Sequence, residues 1–184
     1  MAESKLNLIL ILAANVVLGS IMPLLIILGG LSGHSMAPYA SLATLPPSVQ
    51  MLAGLIASAP LSLFMGKFGR KLGFLVGAAC SGSGGIIGVL AWLQDSFLLI
   101  CVAHMLFGIS LAAFAYFRFA AAETVDESRR PVAVSLTIAT GLLTAFIGPE
   151  LFDATKDLMM PLSIAGAYWS AMGLSIGGAA IVLL

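Results

Sequence analysis

Six long apolar runs, separated by short polar or turn-rich segments, dominate the hydropathy pattern of the chain. A bilayer hydrocarbon core is about 30 Å thick, and a helix needs roughly 20 residues to cross it. None of the runs alternates with a two-residue period, as a membrane β-strand would, so each is predicted to be an α-helix. The predicted spans are residues 6–31, 47–65, 72–93, 97–122, 131–152 and 161–184.

Composition places these helices in lipid. The 184 residues are 60% hydrophobic and 9% charged, with a mean hydropathy of +1.12, too apolar for a water-soluble domain of this size. The formal net charge is zero, which offers no basic surface for nucleic acid. Cys80 and Cys101 lie inside apolar runs and read as small buried hydrophobes, and no cofactor is expected.

The distribution of Lys and Arg predicts the orientation. An even number of spans puts both termini on one side, and the positive-inside rule makes that side cytoplasmic. The first run reads as a retained span rather than a signal peptide, and a bacterial inner (plasma) membrane is expected. The predicted inner face holds Lys5, Lys67, Arg70, Lys71, Arg118, Arg129 and Arg130, and the outer face holds Lys156.

Two connections carry features of their own. Residues 32–46 are predicted to be the longest outer loop, with Gly33 and Pro38 marking turns and His34 solvated. The inner loop 123–130 mixes acidic and basic side chains, and we expect a solvated surface network there. Pro131 then opens the fifth span at a favourable first-turn position.

An internal repeat appears when the chain is compared with itself at an offset of 89 residues. Three spans per unit is an odd number, so the second unit enters the membrane from the opposite side. This predicts one 1–184 domain made of two inverted three-helix repeats, about 1–93 and 94–184, an arrangement common in secondary transporters. Matches include Leu10, Ile11, Ala14 and Gly19 on Leu99, Ile100, Ala103 and Gly108, Pro60 on Pro149, and Gly77, Ser81, Gly84 and Gly88 on Gly166, Ser170, Gly173 and Gly177.

The repeat relates two polar residues inside apolar spans, Asn15 and His104. An intramembrane polar group is costly and calls for a reason. Either residue can hydrogen-bond a neighbouring helix. His104 also has a side chain that titrates near neutral pH, so a proton-handling role stands beside the structural one.

The third and sixth spans carry small residues four apart instead. Gly77 with Ser81, Gly84 with Gly88 and Gly173 with Gly177 have the spacing that lets helix backbones approach closely. We therefore interpret these spans as packing elements. The first, second, fourth and fifth spans are left to line a polar path.

The loop SLFMGKFGRK, residues 62–71, resembles the signature between helices two and three of major facilitator superfamily transporters. Lys67, Gly69, Arg70 and Lys71 match that pattern, which implies a gating loop. Gly66 stands where the family has the aspartate that helps to close one transport state. The resemblance covers essentially the whole chain and implies the N-terminal, six-helix half of such a transporter.

Two further spans resemble the antiporter signatures of the family. In the fourth span Gly108 matches, His104 takes the place of an arginine and Phe107 that of a glutamine, which implies proton coupling at His104. In the fifth span Gly148 and Pro149 match, and Pro149 is predicted to kink the helix. Glu150 follows directly and either lines the path or faces water.

The function predicted from the sequence is alternating-access transport of a small molecule, with proton-coupled export of an amphipathic compound as the favoured form. Asn15, His104, Arg118 and Glu150 are the candidate path residues, although Arg118 also suits a snorkelling position at the interface. Six helices alone enclose no cavity, so we expect a homodimer or a missing C-terminal half. A non-transporting membrane scaffold or isolated folding domain is the alternative. An enzyme is the weakest reading, since no metal-binding, nucleophile or paired-carboxylate motif is present.

Overall fold

The computed structural model describes residues 2–162 and 164–184, with side chains from residue 5 onward. Within this part of the chain all regular structure is helical, and the short 3-10 turns Ala40–Leu42 and Glu127–Arg129 lie in connections. The α-helices are α1 Ala2–Gly19, α2 Ile21–Met36, α3 Leu45–Phe68, α4 Arg70–Leu93, α5 Phe97–Phe114, α6 Phe117–Glu123, α7 Arg130–Thr155 and α8 Ala165–Leu183.

These helices form six spans, which confirms the predicted all-helical membrane fold. Among the described residues, six segments are long and apolar enough to cross a bilayer. The first span consists of α1 and α2, which meet at Ser20, and the fourth consists of α5 and α6, which meet at Ala115 and Tyr116. The six segments are Lys5–Met36, Ala40–Phe68, Arg70–Leu93, Phe97–Glu123, Glu127–Thr155 and Ala165–Leu183.

Consecutive spans run in opposite directions across the membrane, so the bundle has two distinct ends. We call the end that holds Lys5, Gly69 and Leu184 the terminal end. The loop end holds the connections 37–44 and 94–96 and the described residues 156–162 and 164. Which end faces the cytoplasm stays a prediction, as does the inverted repeat.

The predicted outer loop 32–46 is wrong at its beginning. Helix α2 continues to Met36, so Gly33 and His34 are helical, and the connection is confined to residues 37–44. The helix persists because the Ala37 amide still donates to the Gly33 carbonyl, at 3.1 Å. Gly33 also packs so closely on the Ala43 carbonyl that a side chain would not fit. The turn residue expected in a loop is therefore needed for close packing of a helix.

The boundaries of the last two spans also differ from the prediction. Helix α7 runs to Thr155, and α8 begins at Ala165 instead of Pro161. Between them the Ile164 amide donates to the Lys156 carbonyl at 2.8 Å, and Ile164 has a positive φ of 80°. This bond closes a turn, and the left-handed backbone at Ile164 delays the helix.

The core lies where α4 packs against α5 and α8, and where α3 packs against α5. Phe74 and Phe117 stack in it with ring centroids 4.1 Å apart. Helix α7 packs against α1 and α2 instead. The outer faces of α3 and α7 expose large apolar side chains, including Leu52, Leu55, Ile56 and Leu63 on α3 and Ile138, Leu142, Leu143 and Phe146 on α7.

The glycines of α4 pack closely as predicted, whereas Gly173 and Gly177 of α8 do not. A Cβ at Gly84 would lie 3.1 Å from the Ala103 carbonyl oxygen, and one at Gly88 would lie 2.1 Å from the Tyr168 ring. Gly173, in contrast, faces open space, and Gly177 would meet only Val17, at 4.0 Å. The close approach predicted at Gly173 and Gly177 is therefore wrong, because these two residues lie on the outward side of α8.

Candidate functional site

His104 lies at the centre of a hydrogen-bonded cluster built from four of the six spans. Its side chain is fully buried on α5, about two helical turns from the loop end. His104 Nδ1 lies 2.7 Å from Gln50 Oε1 of α3, and Nε2 lies 3.2 Å from the Tyr168 hydroxyl of α8. That hydroxyl lies 2.9 Å from Ser32 Oγ of α2. We call these four residues the histidine cluster.

The orientation of the Gln50 amide, with Oε1 toward the ring, assigns the tautomer of a neutral His104. Gln50 Oε1 only accepts, so Nδ1 must carry the proton and Nε2 must accept. Tyr168 then donates to Nε2, and Ser32 donates to the Tyr168 oxygen. In this neutral form both ring nitrogens of His104 and both hydroxyls of the cluster have a hydrogen-bond partner, as a buried membrane network requires. Among the described residues no carboxylate takes part in the cluster.

Glycines make the space for the two rings of this cluster. A Cβ at Gly29 of α2 would lie 3.0 Å from His104 Cε1. On the other side, the Tyr168 ring occupies the place where a side chain at Gly88 would lie. Phe107 packs edge-on against the imidazole, with ring centroids 5.9 Å apart. The ring of His104 is therefore enclosed from several directions.

Sequence reasoning missed three of the four residues of the histidine cluster. Gln50 carried a usable signal, since an amide inside an apolar run needs a partner. Tyr168 stands close to the predicted start of the last span, where tyrosine is typical of the membrane interface, so its burial gave no sequence signal. The sixth span was interpreted as a packing element, and α8 in addition supplies Tyr168 to the histidine cluster.

Asn15 forms a second and simpler polar cluster. It lies on α1 about three turns from Lys5, toward the terminal end, whereas His104 lies toward the loop end. Its Nδ2 donates to the Thr137 carbonyl at 3.0 Å and to Thr140 Oγ1 at 3.1 Å. Asn15 thus joins the first span to α7 and makes the helix-to-helix hydrogen bond expected of a membrane asparagine.

Arg118 shares a cavity with Asn15. The cavity has a volume of about 220 Å³. The Arg118 guanidinium carbon lies 5.1 Å from the centroid of the Phe119 ring. In the described part of the chain the Arg118 side chain has no carboxylate partner. The residues that line this cavity are Asn15, Phe114, Ala115, Arg118, Thr137 and Ile138.

The predicted residues of the fifth span lie apart from both clusters. Gly148 packs on α2, where a Cβ would lie 2.6 Å from Pro23 Cγ. Helix α7 continues through Pro149 to Thr155. Glu150 is exposed and does not line the cavity of Asn15 and Arg118. One turn further on, a hydrogen bond to Asp153 raises the pKa of Lys156 above its usual value.

The loop that resembles the family signature is anchored at the terminal end. Gly69 links α3 to α4 with a positive φ of 91°, a backbone that favours glycine. Arg70 forms a salt bridge to Glu123 at the end of α6, with a shortest distance of 2.8 Å. The charges of loop 123–130 were predicted to be a solvated network, and Glu123 departs from this because it holds two spans together.

The other cations of this loop differ in their contacts. Lys71 Nζ donates to the Leu183 carbonyl at 2.6 Å, which caps the end of α8. The exposed Lys67 lies over the Phe68 ring. A cavity of about 330 Å³ opens beside Arg70 and Glu123 and is lined mostly by apolar residues of the first, third, fourth and sixth spans.

Six apolar helices with polar clusters inside define an integral membrane protein, and its known relatives are described as transporters. The chain is similar to riboflavin transporter RfnT of Brucella anthropi, with 29% identity over 167 residues, which cover 91% of this chain and 42% of that protein. It is also similar to two proteins of Bacillus subtilis, each described as an uncharacterized MFS-type transporter. YddS is 25% identical over 72% of this chain, and YdeG is 24% identical over 76% of it.

These relatives confirm the resemblance to the major facilitator superfamily. The matches cover 42%, 30% and 33% of the three relatives, so the chain spans less than half the length of each, consistent with an N-terminal half. No protein-family model and no solved structure matches the chain. The chain is a relative of the major facilitator superfamily transporters.

Proposed function

We propose that this chain is one half of an alternating-access secondary transporter for a small amphipathic molecule. The observation that carries the proposal is the six-span bundle together with its similarity, over 91% of its length, to a protein described as a riboflavin transporter. Riboflavin combines a flat ring system, apolar at its dimethylbenzene end, with a polar chain and is therefore the first substrate to test. A bacterial inner membrane and export are the expected location and direction.

Proton coupling at His104 is the finer part of this proposal. A proton on Nε2 turns that atom from an acceptor into a donor, so the Tyr168 hydroxyl must reverse and donate to Ser32. The bonds between the fourth, sixth and first spans therefore depend on the charge of one imidazole. A buried histidine whose protonation reverses its hydrogen bonds is a plausible two-state element for a transporter.

The working unit in this proposal contains a second six-helix bundle. A lone bundle has no second half against which to alternate. The exposed apolar faces of α3 and α7 are the surfaces offered for pairing, through residues such as Leu55 and Phe146. The partner is a second copy of the chain or a C-terminal half, and the size of the purified protein in mild detergent distinguishes the two.

Flux in proteoliposomes tests transport and coupling together. The full chain is reconstituted, and riboflavin movement is followed by fluorescence with and without an imposed pH gradient. Flux that responds to the direction of the gradient is expected. His104→Gln, which keeps a polar side chain but cannot titrate, should remove that response and leave exchange at equal pH.

Ser81→Ala is the control, because it removes a buried hydroxyl that accepts from Ser175, about two helical turns along α8 from Tyr168. It should leave the response to pH intact. Flux that ignores the gradient would overturn proton coupling but not transport. Dimeric protein that moves no riboflavin or other small amphipathic compound would overturn transport by this chain.

A membrane scaffold is the second candidate, and one observation favours it. His104 has 0% exposure, and both of its ring nitrogens already have partners. In this alternative the histidine cluster only joins helices. It predicts that His104→Gln weakens the fold without any effect specific to proton gradients.

A further inference from the structure

The cavity between the first, fourth and fifth spans has an unusual balance of hydrogen-bonding groups. Arg118 offers N–H donors and no acceptor. Its side chain is exposed and lies over the Phe119 ring, and in the described part of the chain it has no hydrogen-bond or carboxylate partner. The cavity therefore contains a cation free to bind an oxygen atom of a ligand.

Asn15 can offer this cavity only an acceptor. Both N–H bonds of its amide are used, one by the Thr137 carbonyl and one by Thr140 Oγ1. The carbonyl of Thr137 only accepts, so the assignment of Nδ2 and Oδ1 in Asn15 is fixed by its partners. The Oδ1 atom has no partner among the described residues.

Thr137 offers an acceptor as well. Its hydroxyl donates to the Ala133 carbonyl at 2.9 Å, which leaves only the lone pairs of the oxygen. Thr140, in turn, donates to the Thr137 carbonyl at 3.0 Å. A ligand in this cavity must accept from Arg118 and donate to Asn15 or Thr137.

We infer that this cavity is a subsite for the uncharged imide edge of a planar heterocycle, with Arg118 donating to a ring carbonyl and Asn15 Oδ1 accepting the ring N–H. An imide carries an acceptor and a donor side by side on one flat edge. The inference rests on the proposed transport function and adds the chemistry by which the substrate is recognised. The ring system of riboflavin contains such an edge.

A carboxylate suits the same cavity less well. It would pair with Arg118, yet it would also face the lone pairs of Asn15 and Thr137 with no proton to offer. The size agrees with a single ring edge. At about 220 Å³ the cavity is smaller than the roughly 300 Å³ lower bound of a whole drug-sized site, so the rest of the molecule would extend beyond it.

Binding to the full chain in detergent tests this inference independently of flux. Riboflavin and N3-methylriboflavin, which lacks the imide N–H, are titrated while flavin fluorescence is followed. We expect riboflavin to bind about fivefold more tightly, because N3-methylriboflavin has no ring N–H to donate to Asn15 Oδ1. Arg118→Gln should weaken both ligands about tenfold or more, because a hydrogen bond to a charged group is lost.

The Asn15→Ala variant separates recognition from stability. It should bind the two flavins equally, whereas a general structural defect would weaken both and keep their ratio. Thr140→Val is the control, since it removes a partner of Asn15 and leaves Oδ1 in place, and it should retain discrimination. Uracil, which carries an imide edge, and benzoate, which carries a carboxylate, are compared as competitors of riboflavin. The inference would be overturned if the unmodified chain bound both flavins equally, if it bound no riboflavin, or if benzoate displaced riboflavin better than uracil did. Binding with discrimination but without flux would contradict only the transport proposal.

Discussion

The clusters of His104 and Asn15 occupy positions 89 residues apart, yet they differ in how far they are closed. The imidazole is enclosed and bonds two other spans directly, and a third through Tyr168. The amide bonds one helix and keeps Oδ1 beside a cavity. The comparison teaches that the neighbouring helices decide whether an intramembrane polar side chain is closed off or accessible.

The two clusters also lie toward opposite ends of the bundle. His104 is about two turns from the loop end, and Asn15 is about three turns from the terminal end. This is where an inverted repeat would put them, although the repeat stays a prediction. A transporter with the closed cluster near one surface and the open cavity nearer the other would separate proton handling from substrate binding.

The largest difference is expected at two glycines that lie 89 residues apart in the sequence, Gly108 and Gly19. A Cβ at Gly108 would lie 2.0 Å from the Gln50 carbonyl oxygen, a backbone atom that moves only if α3 and α5 separate. Gly108→Ala should therefore lower the free energy of unfolding by about 3 kcal/mol. Denaturation by SDS in mixed micelles measures this.

Gly19→Ala is the matched change, 89 residues earlier in the sequence. Its Cβ would lie 3.1 Å from Thr144 Cγ2, a methyl group that can shift slightly. Alanine is favoured over glycine in a helix by about 1 kcal/mol, so stability should change by less than that. Equal losses of stability in the two variants would contradict the tighter packing of Gly108.

Removal of the two polar side chains should have the next largest effect. His104→Leu leaves Gln50 and Tyr168 without their partner in the bundle interior, and we expect a loss of about 2 kcal/mol. Asn15→Leu removes bonds to one helix only, and hydrogen bonds between membrane helices average about 0.6 kcal/mol, so about 1 kcal/mol should be lost. The same SDS titration ranks the two variants. A larger loss of stability for Asn15→Leu would show that the Asn15 cluster contributes more to stability than the histidine cluster.

A smaller effect on stability is expected when the series of hydrogen bonds in the histidine cluster is shortened. Tyr168→Phe removes the hydroxyl between His104 and Ser32 and should cost about 1 kcal/mol. Ser32→Ala should cost less, and the double variant should fall short of the sum by about 0.5 kcal/mol, because both changes break the same bond. Additive losses would indicate that the two hydroxyls act independently.

The smallest effect is expected at the terminal end. Arg70→Gln breaks the salt bridge to Glu123, whose side chains are 31% and 56% exposed, so it should cost no more than about 1 kcal/mol and depend on salt. Arg130→Gln is the control, since its contact with Glu127 is longer, at 3.8 Å, and more exposed. It should change stability by about 0 kcal/mol. Thermal unfolding in detergent at low and high salt checks both.

Much of the fold could be predicted from the sequence because few backbone structures are stable inside a lipid bilayer. Continuous apolar runs must be helices in a bilayer, and their lengths give the six spans with errors of a few residues at the ends. The errors occur at Met36 and Pro161, where a local hydrogen bond or turn decides the boundary. The polar residues inside the spans were also visible, since hydropathy alone makes Asn15 and His104 exceptional.

Their partners were not visible, and the reason is physical. The spans are apolar almost all round, so periodicity does not indicate which face of a helix points inward. Rotation and crossing of the helices are set by close packing at glycines such as Gly88 and Gly108, which act between segments far apart in sequence. The sequence by itself determined that six helices cross a membrane with an amide and an imidazole inside them. Only the tertiary structure decided that Tyr168 encloses the imidazole and that Arg118 lies beside the amide.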